Sequence, residues 1–303
     1  MSDSKLLSLS RAIARFVPDS SQVVMGTSLE TFIPFAAGHE LIRQRKRDLT
    51  LIGPISDILF DQVVGGGCVH KIRAAWVGNV ITGSGYNFRR AVEGGTIEME
   101  DHSNLTVSMA LRAGAMGVPF MPARTALGSD LFKTNTSLKV ISCPFTGDTL
   151  AAVAAINPDV AIIHVQRADE YGNAHAWGNL GITREACMAS RHVIITAEEI
   201  VSPDVITSDP NRVITPGFRV SAVVHAPWGA HPSPVPGYYN RDHQGFIDYR
   251  TASKTSETFA DWQARWVDAV HSSDDYLRLL GEERVAELAL NHHVIPEAVD
   301  YGY

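Results

Sequence analysis

The feature that most constrains this chain is the regular exchange of short apolar runs with helix-period stretches over its first hundred or so residues. Leu6, Leu9, Ile13 and Phe16 recur at helical spacing, and the helix they predict stops near Pro18. "QVVMG" (22–26) reads as a short buried strand, followed by a helix over about 33–46 with Phe35, Leu41 and Ile42 on its inner side. "DLTLIG" (48–53) is a second strand, and Ser56 or Asp57 is placed to cap a short helix over about 57–63. "HKIRAAWVG" (70–78) is a third strand. "YNFRRAVEGG" is a helix closed by Gly94 and Gly95, "TIEME" is a short alternating strand, and Ser103 caps the helix "NLTVSMALRAGAMG". Such alternation predicts an α/β fold: an open, mainly parallel sheet flanked by helices. The first three strands end in Gly26, Gly53 and Gly78. Ligands of open α/β sheets sit outside the carboxyl ends of the strands, where backbone must approach closely, so three successive glycines mark a candidate ligand edge.

The second half is more mixed. "SLKVISC" (137–143), "VAIIHVQRA" (160–168), "HVIITAEEI" (192–200) and "FRVSAVVHAP" (218–227) are strand candidates. "ETFADWQARWVDAV" (257–270) is an amphipathic helix with Phe259, Trp262, Trp266 and Val270 on one stripe, and two more helices follow it. The chain is therefore expected to form a single domain over 1–303, with a mixed C-terminal half and a helical segment from about 256. The segment from Pro227 to Arg250 is rich in Pro, Gly, His and Tyr, too long and too aromatic for a plain linker.

Composition excludes several classes. A net charge of −7 and the lack of a Lys/Arg-rich tail argue against nucleic-acid binding. The cluster Arg43, Arg45, Lys46 and Arg47 ends a helix, where the macrodipole favours cations. Three scattered cysteines, Cys68, Cys143 and Cys187, have no metal-ligand spacing and do not suit a disulfide framework. They are expected to be buried and inert. The N-terminal stretch has no secretory signature, and no apolar run is long enough to span a membrane, so a cytoplasmic location is expected. The twelve histidines contain no H-E-x-x-H, and His292 and His293 are adjacent and so splay apart; no metal site is expected.

Familiar catalytic signatures are absent. No G-x-G-x-x-G follows the first strand, there is no P-loop lysine, and Gly83-Ser84-Gly85 falls short of a nucleophile elbow. Gly65–Gly67 precede a strand, not a helix, and read as a helix stop. Three loops remain. In "ALGSDLF" (126–132), Gly128 frees the backbone while Ser129 and Asp130 offer hydrogen bonds, either to a ligand or within a local turn. "APWGAHPSPVPGYYNRD" (226–242) either displays His231 and its aromatics or packs on the surface. "ADEYGNAHAWG" (168–178) turns at Gly172-Asn173 and presents His175 and Trp177, both read as structural.

Taken together, these stretches resemble the α subunit of class I coenzyme A transferases, the glutaconate CoA-transferase type in particular. The resemblance spans about Leu6 to Gly281 and rests on "DLT" (48–50), "GGTIEMEDHS" (94–103), "GVPFMP" (117–122), "LGSD" (127–130), "NPDVAIIHVQRADEYGNAHAWG" (157–178), "EEIVS" (198–202), "APWGAHPS" (226–233) and "SKTSETFADW" (253–262). The resemblance implies a β-type partner in an α2β2 assembly, with the active site at the interface. It implies acyl-CoA and a carboxylate as substrates, coenzyme A among them, with no permanently bound cofactor. The nucleophilic glutamate is expected on the partner, so no catalytic residue is expected here. The residues expected to line the cleft are Gly26, Thr27, Ser28, Phe32, Gly53, Asn79, Asn104, Gly128, Ser129, Asp130 and His231.

Some positions depart from the family pattern. Thr27 replaces a second glycine, Phe32-Ile33 stand where basic residues are expected, Asn79 replaces a small serine and "GPISDI" (53–58) replaces a glycine-rich stretch. These departures point to a bulkier or more apolar acyl group than a short dicarboxylate. In related α-type chains that hydrolyse a ring of a steroid-derived CoA ester, a glutamate follows the "EMEDHS"-like strand; here the position is Asn104. Acyl-CoA C–C hydrolysis, decarboxylation and non-enzymatic ligand binding are the alternatives the scaffold allows.

Overall fold

The computed structural model describes residues 3–290, so His292 and His293 lie outside the described residues. The chain opens with α1 (Leu9–Phe16), β1 (Gln22–Val24), α2 (Phe35–Arg43), β2 (Leu49–Ile52), α3 (Leu59–Gly65) and β3 (Val69–Ala74). A small hairpin, β4 (Gly78–Asn79) and β5 (Gly83–Ser84), precedes α4 (Tyr86–Glu93), β6 (Glu98–Asp101) and α5 (Asn104–Met116). Ser103 caps α5 through a reciprocal pair with Thr106, as its position suggests. Ser56 and Asp57 cap nothing with their side chains: α3 starts later, after Ile58, without a side-chain cap. Instead Ser56 Oγ donates to Met25 O at 3.0 Å, and Asp57 turns toward Asn79.

The chain continues through β7 (Phe120–Ala123), α6 (Leu131–Thr134), β8 (Leu138–Ser142), β9 (Thr149–Ala154), β10 (Val160–Ala168), β11 (Ala174–His175), α7 (Thr183–Ala189) and β12 (His192–Ile200). After α8 (Pro203–Thr207), β13 (Val213–Thr215) and β14 (Ala222–His225), four helices close it: α9 (His243–Ala252), α10 (Ser256–Gln263), α11 (Ser273–Leu280) and α12 (Glu282–Leu288). The expected single helix over 257–270 is interrupted: after Gln263 it loosens into a π-helical turn, Ala264–Asp268.

Seven strands form one parallel sheet in the order β14-β12-β10-β1-β2-β3-β6. β11 and β13 add antiparallel pairs beside the end of β10, and β7-β9-β8 form a separate antiparallel sheet. The alternation of the central strands decides which side chains face which layer. Val23, Leu51, Ile162, Ile194 and Val224 face α1–α3, α9 and α10, whereas Val24, Ile52, Ile163, Ile195 and Val223 face α5, α7 and the small sheet. Burial on both faces explains why β10 opens on the apolar run Val160–Ile163 and β12 carries Val193–Ile195.

Candidate functional site

The carboxyl ends of β1, β2 and β3 lie side by side, and the glycines there are required by packing between loops. Gly26 has φ +66°, and a Cβ on it would meet Ser56 Cβ and Oγ at 2.7 Å. A Cβ on Gly53 would meet Ser56 Oγ at 2.4 Å and Met25 O at 2.7 Å. At Gly78, with φ +151°, it would meet Gly83 O at 2.5 Å. The first two glycines therefore close around Ser56, and the third lets the β4–β5 hairpin turn back on itself.

The side chains expected to line the cleft are mostly spent on building its rim. Thr27 and Ser28 are buried, and their hydroxyls hydrogen-bond Thr183 Oγ1 at 2.7 and 2.9 Å, fixing the loop after β1 to the start of α7. Phe32 is buried at φ +58° in an apolar cluster with Ala230, Val235 and Tyr239. Asn79 is only 1% exposed. Its Nδ2 donates to Asp57 Oδ1 and Oδ2 at 2.9 and 3.0 Å, and its Oδ1 accepts from the N–H groups of Ile81 and Thr82. Asn79 thus braces the hairpin and does not face solvent.

Asn104 is exposed as the first residue of α5, where the chain leaves β6. His231 is buried, with Nε2 at 3.0 Å from Asp242 Oδ2 and Nδ1 at 2.7 Å from Tyr276 Oη, which places it beneath the C-terminal helices and not on the rim. The turn at Gly128, Ser129 and Asp130 is exposed and keeps its bonds to itself: Ser129 Oγ and N–H donate to Ala126 O, and Asp130 pairs with Lys133. The structure does not join this turn to the other predicted residues by any described hydrogen bond.

Three residues that sequence reasoning did not place at the site organise the edge. Asp57, at φ +51°, is buried in the loop after β2. Burial pushes its carboxyl up to about 7, against the opposing pull of Asn79 and Arg241. Arg241 lies over the Phe246 ring at 4.1 Å and reaches Glu30 Oε2 at 3.4 Å and Asp57 Oδ2 at 3.7 Å. Glu198, in β12, accepts from Tyr239 Oη at 2.7 Å and from the Trp228 N–H at 2.8 Å, and its Oε1 lies 2.7 Å from His164 Nε2. This one carboxylate fastens the 226–240 loop to the sheet. Leu29, Phe32, Asp57 and Trp228 all carry left-handed backbone in the loops that follow β1, β2 and β14. Four other non-glycine residues with such backbone, Ser20, Arg45, Asp48 and Ala126, lie elsewhere.

The remaining candidates are structural. His175 is tied into the core by Nε2, 3.0 Å from Ile206 O, and because a carbonyl only accepts, the imidazole is the donor. Trp177 packs against the Arg167 and Arg212 guanidinium groups. Cys68 and Cys187 are buried, and burial pushes both thiols up to about 12. Cys143 departs from expectation: it is partly exposed in the β8–β9 turn, where bonds from Thr146, then the Phe145 N–H, hold its thiol below the ordinary value. A cavity of about 840 Å³ beneath α9–α11 is lined by His39, Gln62, His231, Asp242 and Trp262. Within it His39 bonds Gln62 and His231 bonds Asp242, and burial, then the Arg43 charge, lowers the His39 imidazole to about 4, so it stays neutral. Among the described residues there is no cluster able to hold a metal ion and no helix long and apolar enough to cross a membrane.

Residues 6–226 match the family described as coenzyme A transferase. The chain belongs to the coenzyme A transferase family. One chain of the 3-oxoadipate CoA-transferase of Pseudomonas knackmussii, its A-type component, is 39% identical over 281 residues, which is 92% of this chain and 99% of that protein. The corresponding A-type component of the glutaconate CoA-transferase of Acidaminococcus fermentans is 34% identical, over 96% of this chain and 98% of its own length. The crystal structure of that transferase superposes with a TM-score of 0.90 at 33% identity, covering 95% of this chain and 96% of that one. A variant of the AibA/AibB decarboxylase also matches, with a TM-score of 0.75, 31% identity and coverage of 87% and 100%. The family's sheet is thus the observed one, and its α-type chain accounts for nearly the whole described length.

Proposed function

We propose that this chain is the α-type subunit of a heteromeric CoA-transferase that moves CoA between an acyl-CoA and a carboxylate. The observation that carries this reading is the match, along nearly the full length of both chains, to the A-type component of glutaconate CoA-transferase and to its crystal structure. In this reading the β partner supplies a glutamate that attacks the acyl-CoA thioester, forming a mixed anhydride and releasing CoA thiolate. The thiolate then attacks the glutamyl carbonyl, freeing the first carboxylate and leaving a glutamyl-CoA thioester. The acceptor carboxylate runs the same two steps in reverse and leaves as its own CoA ester. Coenzyme A is a substrate throughout, and the pair assembles as α2β2.

This chain's part is to shape one wall of the cleft. The loops after β1, β2 and β3 form it, braced by Ser56, Thr183 and the Asp57–Asn79 pair. The buried carboxylates Asp57 and Glu198 are both engaged, the first by Asn79 and the second by Tyr239 and the Trp228 N–H, which supports placing the nucleophile on the partner. Asn104 offers an amide where hydrolysis would call for a base, which supports transfer over C–C hydrolysis. The test is to purify this chain with its β partner and follow acyl exchange between an acyl-CoA and a free carboxylate. Exchange that needs both chains and the acceptor supports the reading; acceptor-independent loss of the acyl-CoA contradicts it.

A further inference from the structure

We infer that the tip of the β4–β5 hairpin, Val80 and Ile81, is the element of this chain that reads the length of the acyl group, and that Asn79 and Asp57 are positioning residues for it. The inference rests on the transferase reading above and adds a selectivity element to it.

Val80 and Ile81 are each 63% exposed, although the tip that carries them is tightly built. Gly78 and Gly83 let the backbone reverse, and Asn79 Oδ1 receives the N–H groups of Ile81 and Thr82. Asp57 in turn holds Asn79 with both carboxylate oxygens. A flexible tip would need none of this bracing. Two apolar side chains are therefore presented in a fixed place, beyond the carboxyl end of β3, where an open α/β sheet receives its ligand.

Beyond the neighbouring strand β6, Leu105 in the first turn of α5 is also exposed, at 53%. An acyl chain of a few carbons matches the Val80 and Ile81 side chains in size and polarity. Of the side chains expected at the rim, Thr27, Ser28, Phe32 and Asn79 are all buried and so do not offer this contact.

The experiment uses the complete complex with its β partner. Ile81→Ala and Val80→Ala are compared with the unaltered complex for CoA transfer to acetate, butyrate and hexanoate. Both side chains are exposed, so folding is not at issue. The inference expects kcat/KM for hexanoate to fall by about tenfold in Ile81→Ala, while acetate changes by less than about twofold, as for contacts made to methylene groups. Asn79→Ala, which releases the tip, should lower transfer to hexanoate more than transfer to acetate, the same order of loss as in Ile81→Ala. An equal loss for all three acids, no loss, or weakened association of the two chains in sedimentation would each overturn it. If the unaltered complex transfers CoA to no carboxylate, the transferase reading falls first and this inference with it.

Discussion

Two loops that look alike in sequence have opposite roles. Both 126–132 and 226–242 carry glycine, polar side chains and turn residues, and either could have displayed a ligand-binding group. In the structure the first is an exposed turn whose hydrogen bonds are internal, and a Cβ added to Gly128 would meet nothing within 4 Å. The second is sunk into the domain. Glu198 holds it through Tyr239 and the Trp228 N–H, Trp228 stacks on Tyr239 with ring centroids 4.4 Å apart, and Arg241 extends from its end to Glu30 and Asp57. Turn chemistry alone does not separate a loop that stands free from one that anchors a rim. The difference lies in partners far away in sequence.

The largest effect expected from that contrast is at Glu198. Glu198→Ala would leave Tyr239, His164 and the Trp228 N–H without their buried acceptor, a loss of about 3–5 kcal/mol in urea unfolding. A loss under about 1 kcal/mol would mean that the 226–242 loop is held by apolar packing instead. Next comes Asp57. Burial raises its folded carboxyl to about 7, above the ordinary carboxylate value, so the folded chain binds this proton more tightly than the unfolded one. Its contribution to stability is full below about pH 4 and declines as pH rises to 7, by roughly 2–4 kcal/mol. Asp57→Asn should flatten that part of the stability-versus-pH curve; an unchanged slope would assign it to other groups.

Gly53→Ala should cost about 1–3 kcal/mol, because the new methyl meets Ser56 Oγ and the Met25 carbonyl, and the carbonyl cannot swing away as a side chain would. Ser129→Ala, in the free loop, should change stability by less than about 0.5 kcal/mol. An effect as large as that of Gly53→Ala would erase the distinction between the two loops.

What could be read from sequence follows the same division. Strands β10 and β12 are read to their end residues, because burial on both faces concentrates Val and Ile in each, Val160–Ile163 and Val193–Ile195. Ser103 is a sound cap because its partner, Thr106, is close in sequence. The three strand-end glycines are visible, yet their cause is not: Gly26 and Gly53 serve Ser56, which the local pattern assigns to a helix cap. Asp57 looks like a capping aspartate until Asn79, 22 residues on, is seen to claim it. Glu198 sits in the strand candidate "HVIITAEEI", and the local pattern gives it no role; only its partners in β10 and the 226–240 loop reveal it as an anchor. His231 stands out in the sequence, but Asp242 and Tyr276 bind it into the helical cover and away from the rim.

If this chain is the supporting half of a transferase, the covalent step occurs on its partner. The most direct measurement is to incubate the two-chain complex with an acyl-CoA, add borohydride without any acceptor carboxylate, and locate the modification by mass spectrometry. Transfer chemistry gives inactivation through reduction of a glutamyl-CoA thioester, with the modified glutamate on the β partner and this chain unmodified. Modification of a residue in this chain, or release of free CoA without inactivation, would contradict it.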